Sequence, residues 1–156
     1  MTSAQGMKKV SGWCKIKSFF AEKDQPDLSP KAILKKLNEN EVIKKMGKGE
    51  LSIMSKYQEG LSEKGAEAIS IIQDGLIALE LIKVDTSCEC WWTDFNFGVY
   101  GDKTIGAVKQ LQIAAGIYPK KIPQGQIIGK QTIAALKKAL EAQAKGKNWR
   151  EAVRPK

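Results

Sequence analysis

Apolar residues recur along this chain with the three-and-four spacing of one helix face, and nowhere do they alternate with a period of two over a convincing length. The clearest case is Ile69, Ile72, Leu76 and Leu79, which predicts an amphipathic helix over about 62–82. Ser29-Pro30 reads as a helix start, with serine as N-cap and proline at the first helical position. From there Ile33, Leu34, Leu37 and Ile43 carry an apolar face to about Met46, and Gly47-Lys48-Gly49 ends it. Thr104, Val108, Leu111 and Ala115 mark a helix between Gly101 and Gly116. Thr132, Leu136, Ala139 and Gln143, flanked by Ile133 and Leu140, mark another after Gly129. Weaker patterns predict a short amphipathic helix through Trp13, Ile16, Phe19 and Phe20, and a short helix or irregular connector through Leu51, Met54 and Tyr57. The expected fold class is all-α.

One phrase is used twice. Val99-Tyr100-Gly101-Asp102-Lys103-Thr104-Ile105-Gly106-Ala107-Val108-Lys109 returns 28 residues later as Ile127-Ile128-Gly129-Lys130-Gln131-Thr132-Ile133-Ala134-Ala135-Leu136-Lys137. Each copy is an apolar pair, a turn glycine, two polar residues and a helix opened by Thr-Ile. A unit this short cannot bury its own apolar face, so the two copies are expected to share a core. Gly101 and Gly129 suit a close backbone approach or a positive φ. Thr104 and Thr132 stand in the first turn, where a hydroxyl can satisfy orphan backbone groups, and Asp102 suits the positive end of the helix dipole. These roles are structural, and they place any ligand contacts in the neighbouring loops.

Residues 64–141 resemble the peptidoglycan-binding domain of bacterial and phage cell-wall hydrolases. Ala68-Ile69-Ser70-Ile71-Ile72-Gln73-Asp74-Gly75-Leu76 matches that family's first helix, and Phe97-Gly98-Val99-Tyr100-Gly101-Asp102-Lys103-Thr104 its first glycine loop. Ala107-Val108-Lys109-Gln110-Leu111-Gln112 matches the second helix, and Gln126-Ile127-Ile128-Gly129-Lys130-Gln131-Thr132 the second loop, followed by Ala134-Ala135-Leu136. The family's loop aspartate is replaced by Phe97 in the first copy and Gly125 in the second, and its proline by Asp102 and Lys130. The resemblance implies a three-helix peptidoglycan-binding-like bundle at 62–145; periodicity adds a helical N-terminal region, 1–60, that either packs on it or docks a partner, and composition a basic tail, 146–156. It also implies non-catalytic binding to cell-wall peptidoglycan, targeting or anchoring a phage or bacterial envelope or lytic assembly. The groove expected beside the glycine loops would use Trp92, Asp94, Tyr100, Asp102 and Gln124. The alternative is a structural protein–protein module of a virion, tail or secretion apparatus, with residues 1–60 engaging a protein partner; a third reading, a small wall hydrolase, needs a carboxylate in residues 1–60.

Charge narrows the partners without choosing one. The 26 lysines and arginines outnumber 17 acidic residues, giving a formal +9, which favours peptidoglycan or another anionic wall polymer, nucleic acid, or an acidic membrane surface. The lysines of the 31–48 segment, with Lys137, Lys138, Lys145 and Lys147, read either as phosphate contacts or as a solvated face. No helix-turn-helix, zinc-finger or aromatic RNA motif accompanies them, so nucleic acid is disfavoured. The most apolar run, Ile69 to Leu81, contains Gln73, Asp74 and Glu80 and is too short to span a bilayer. Lys15 and Lys17 interrupt any signal-peptide core. The expected location is therefore cytoplasmic until release, or virion- or envelope-associated.

The chemistry-bearing residues are few. The chain has no histidine, which excludes Ser-His-Asp and Cys-His catalysis and the commonest zinc ligand. No catalytic motif is recognisable, and no cofactor or metal is expected. Cys88 and Cys90, with Cys14, read as ordinary thiols ahead of a bridge or half a metal site. Glu39 and Glu41, or Glu59, Glu63 and Glu67, are the only candidates for a glycosidase carboxylate pair. The last three are spaced four apart, as in a solvated acidic stripe. Trp91, Trp92, Phe95 and Phe97 form the densest aromatic stretch. They read either as a sugar-stacking surface, with Asp94 and Asn96 hydrogen-bonding beside it, or as caps on the bundle.

Overall fold

The computed structural model describes residues 25–55, 63–87, 91–95 and 97–155, with the backbone alone at Thr93 and Asp94. The expected helix around Trp13–Phe20, Tyr57, Glu59 and all three cysteines lie outside the described residues. The chain forms two compact units. One consists of Asp27–Lys83 and Gly98–Lys156; the other contains Val84–Phe97 together with residues up to Pro26.

The larger unit begins where expected. Ser29 Oγ accepts a hydrogen bond from Ala32 N at 3.4 Å and opens α1 (Pro30–Glu39). The sequence pattern predicts one helix running to Met46, but the chain turns at Asn40. Its backbone is extended (φ −75°, ψ 124°), its N–H closes α1 on Lys36 O, and its side chain accepts from Ile43 N at 2.9 Å to open α2 (Glu41–Gly47). A side chain able to bond the backbone locally competes with helix propagation. The corner lets both short helices turn inward, and Ile33, Leu37, Ile43 and Met46 are fully buried.

After this pair comes β1 (Ile53–Met54), in place of the expected helix or connector, then α3 (Glu63–Ala78). Every residue of α3 from Ile71 to Ile77 is buried, so this helix is covered on all sides and is the core's centre. Its end is a left-handed cap: Glu80 has φ 62°, with Glu80 N on Ile77 O and Leu81 N on Leu76 O. The repeated phrases supply α5 (Asp102–Ala115) and α6 (Lys130–Ala144), and β2 (Ile127–Ile128) pairs antiparallel with β1 in the register Ile53↔Ile128, Met54↔Ile127. The molecule is thus mostly helical with one two-stranded ribbon among the described residues.

Helix α6 is the hub, packing against α1, α2, α3, α5 and β2. The helices at 30–47 therefore belong to the same compact unit as the repeat. The residues expected as a polar tail also contribute. Asn148 Oδ1 accepts from Arg150 N at 2.9 Å and starts α7 (Trp149–Val153), which lays Trp149 and Val153 against α6 and α5. Both are buried, and their spacing of four gives one turn with one apolar side.

In the smaller unit, Trp91–Asp94 form the single helical turn α4. Trp91 and Trp92 meet edge to face, with ring centres 6.2 Å apart. Phe97 joins the group, 6.3 Å from Trp91 and 4.7 Å from Phe95. These rings contact one another, and both tryptophans are buried.

Candidate functional site

Two glutamines organise the glycine loops, and they do so in the same way. On α3, Gln73 Nε2 donates to Val99 O at 2.9 Å and to Thr104 Oγ1 at 2.9 Å, while its Oε1 accepts from Gly98 N at 2.8 Å. On α5, Gln112 Nε2 donates to Ile127 O at 2.9 Å and to Thr132 Oγ1 at 3.0 Å, while its Oε1 accepts from Gly125 N at 2.7 Å. Both amide hydrogens and the amide oxygen are used in each copy. The glutamines, Thr104 and Thr132 are buried, so each clamp is a buried polar network with its members paired.

The glycine that each clamp holds is Gly98 or Gly125, with φ +87° and +89°. A Cβ at Gly125 would stand 2.4 Å from Ile105 O, and one at Gly98 would stand 3.2 Å from Ala66 O. Positive φ and close backbone approach thus fall on these two residues, and Gly101 and Gly129 are helix N-caps with extended backbone. The threonines depart from expectation likewise: their hydroxyls accept from the glutamines. Copy equivalence needs one gap, since Gly98 corresponds to Gly125 while Thr104 corresponds to Thr132. Gly125 therefore matches Gly98, and the residue that matches Phe97 is Gln124. The extra residue is Gln126, whose carbonyl accepts from Ser55 N at 3.0 Å and whose side chain accepts from the Ser55 hydroxyl. The inserted residue ties the second loop to β1.

The five residues expected to line a groove have different surroundings. Trp92 and the backbone of Asp94 belong to the 84–97 unit, and Trp92 is 6% exposed. In the larger unit Tyr100 is 3% exposed and its hydroxyl donates to Gly125 O, joining the first loop to the second. Burial pushes its phenol above the ordinary tyrosine range. Tyr100 is a core residue, with its ring and hydroxyl both engaged within the protein. Gln124 is half-buried and donates to Ile117 O at 2.9 Å. Asp102 is exposed in the first turn of α5.

Among the carboxylates, Glu39, Glu41, Glu63 and Glu67 are exposed, and Glu41 pairs with Lys44 Nζ at 3.1 Å. Lys31, Lys35, Lys36, Lys44, Lys45, Lys138, Lys145 and Lys147 are exposed and Lys137 is half-buried. No helix among the described residues is long and apolar enough to cross a membrane.

The exposed features that periodicity does not single out lie between α5 and β2. Tyr118 is 71% exposed, and Ile113, near the C-terminal end of α5, is 45% exposed. Lys120 and Lys121 follow, between Pro119 and Pro123. The local signal was present in the bracketing prolines and the adjacent lysines, but it is a loop signal with no period. Comparison with protein-family models, curated proteins and solved structures gives no match.

Proposed function

We propose that the larger unit contains a peptidoglycan-binding-like three-helix bundle, α3, α5 and α6, and that the protein binds cell-wall peptidoglycan without catalysing its cleavage. The duplicated glutamine clamp carries this reading. Two glycine loops are locked onto successive helices by the same three hydrogen bonds, in the order of elements that the family pattern has. Rigid loops on a helical scaffold are a means of presenting polar groups to a ligand with little ordering cost on binding. The basic surface supports attraction to an anionic wall at low salt. Asp102 and the exposed loop residues replace Trp92 and Tyr100 as candidate contacts.

Sedimentation of the full chain with purified sacculi tests this. The expected result is co-sedimentation that weakens as salt rises; a chain that stays in the supernatant at low and moderate salt refutes wall binding. A second reading, a protein–protein module of a virion, tail or secretion apparatus, is favoured by the burial of Trp92 and Tyr100. It predicts no sedimentation with sacculi and a stoichiometric partner in cross-linking.

A further inference from the structure

We propose that the loop between α5 and β2 is a binding site for an anionic glycan, with Tyr118 as the stacking surface and Lys109, Lys120 and Lys121 as the cationic contacts. This rests on the wall-binding reading and gives it a site. Tyr118 is the most exposed large hydrophobic side chain among the described residues, at 71%. The loop that carries it is fixed at its base. Gln124 Nε2 holds Ile117 O at 2.9 Å, Gln126 N holds Pro123 O at 3.2 Å, and Gln112 holds Gly125. The backbone that carries the exposed ring is thus held at both ends of the loop.

The backbone adds a second observation. Only Glu80 and Lys121 are non-glycine residues at positive φ among the described residues. Glu80 closes a helix, which accounts for it. Lys121, at φ 64°, ends no helix, and a lysine held there stores strain of the kind that gathers at ligand sites. Charge is the third observation. Residues 98–156 hold twelve basic residues against Asp102, Glu141 and Glu151, so the whole +9 lies there, while residues 1–97 balance with fourteen of each sign. Lys109 flanks the loop's base, since a Cβ on Gly125 would lie 3.0 Å from the Lys109 Cβ. Pro155 lies against Gly116 at the loop's start and brings exposed Arg154 beside it. Neither Lys109, Lys120 nor Lys121 forms an ion pair with a described acidic residue.

An exposed ring on a loop that also carries two exposed lysines fits a sugar ring bearing carboxylate or phosphate. Single-stranded nucleic acid is held by successive aromatic platforms, whereas this loop presents one. Base reading leans on bidentate arginine, whereas all basic residues but Arg150 and Arg154 are lysines.

The test compares the full chain with Tyr118→Ala, Lys120→Ala/Lys121→Ala and Lys121→Gly. Binding is read on intact sacculi, on sacculi stripped of phosphate-bearing accessory polymers, and on a 20-residue oligodeoxynucleotide, with thermal melting as the control for folding. The proposal expects Tyr118→Ala to weaken binding about tenfold with melting unchanged, and the double variant to flatten the salt dependence. It expects Lys121→Gly to raise the melting temperature while weakening binding. Wild-type binding to both sacculus preparations identifies peptidoglycan carboxylates as the anion, and binding to intact sacculi alone identifies the accessory polymer's phosphate. If the variants bind sacculi as well as wild type, the site is refuted and wall binding stands. Wild type that binds neither preparation overturns both, and Tyr118-dependent binding to the oligonucleotide alone replaces the glycan with nucleic acid.

Discussion

Gln112→Ala removes one side chain and three hydrogen bonds at once. The Gly125 N–H is left in a buried position with no acceptor, at about 1–3 kcal/mol. The Thr132 hydroxyl can rotate and the half-buried Ile127 carbonyl can reach water, so those losses are nearer 1 kcal/mol each. The total is about 3–5 kcal/mol, a large part of the 5–15 kcal/mol that holds a domain of this kind. Urea unfolding followed by circular dichroism measures it. Gln110→Ala is the control, because Gln110 is exposed on the same helix and its loss should stay within about 0.5 kcal/mol. Gln112→Glu sharpens the test. The carboxylate keeps the acceptor for Gly125 N but faces the Ile127 carbonyl where an N–H stood, so it is favoured protonated in the fold. Its carboxyl pKa is therefore raised on folding, and the variant gains stability as pH falls from 7 towards the unfolded value of about 4.3. If Gln112→Ala unfolds within 1 kcal/mol of Gln110→Ala, the clamp does not hold the second loop and the reasoning fails.

Three further outcomes follow from the same contacts. Tyr100 has its phenol pKa raised by burial, so its contribution to stability is complete below the unfolded value of about 10 and declines above it by about 1.4 kcal/mol per pH unit; Tyr100→Phe should remove that component of the slope in unfolding measured from pH 9 to 11. Gly125→Ala should cost more than Gly98→Ala, because a backbone oxygen lies 2.4 Å from the new methyl in one case and 3.2 Å in the other, and paired thermal melts give the order. Trp149→Ala should cost about 3–5 kcal/mol, the usual loss for a large buried aromatic; an effect under 1 kcal/mol would mean that α7 does not belong to the core.

How much of this was legible depended on whether the signal repeated. The 28-residue offset located the starts of α5 and α6 and marked Thr104 and Thr132, although their hydroxyls accept from Gln73 and Gln112 instead of capping the backbone. It misplaced the special glycines, because Gln126 adds one residue to the second loop and an ungapped comparison then sets Gly125 against Phe97. The break at Asn40 was signalled only by an asparagine able to cap, set within an unbroken apolar face. Periodicity favoured continuation, and the side-chain bond to Ile43 N decided otherwise. Trp149 and Val153 make a single turn with one apolar side, too short to register as a helix.

The candidate site was less legible than the scaffold for a related reason. The aromatic stretch at 91–97 reads either as a sugar surface or as caps, and Tyr100 reads as a loop residue; Trp92 and Tyr100 are both buried, because large rings bury much apolar surface. Tyr100 shows how a loop residue becomes a core residue. Its neighbour Gly98, at φ +87°, turns the backbone, and the Tyr100 hydroxyl reaches Gly125 O, so the first loop braces the second. The two clamps are thus coupled through one phenol. A substitution at Gln112 that frees Gly125 also loosens the acceptor of Tyr100, whereas one at Gln73 leaves that acceptor held by Gln112. The double variant Gln73→Ala/Tyr100→Phe should therefore lie closer to additivity than Gln112→Ala/Tyr100→Phe, in which both members act on the backbone of Gly125. A coupling energy in the Gln112 cycle no larger than in the Gln73 cycle would show that Gln112 does not hold the acceptor of Tyr100.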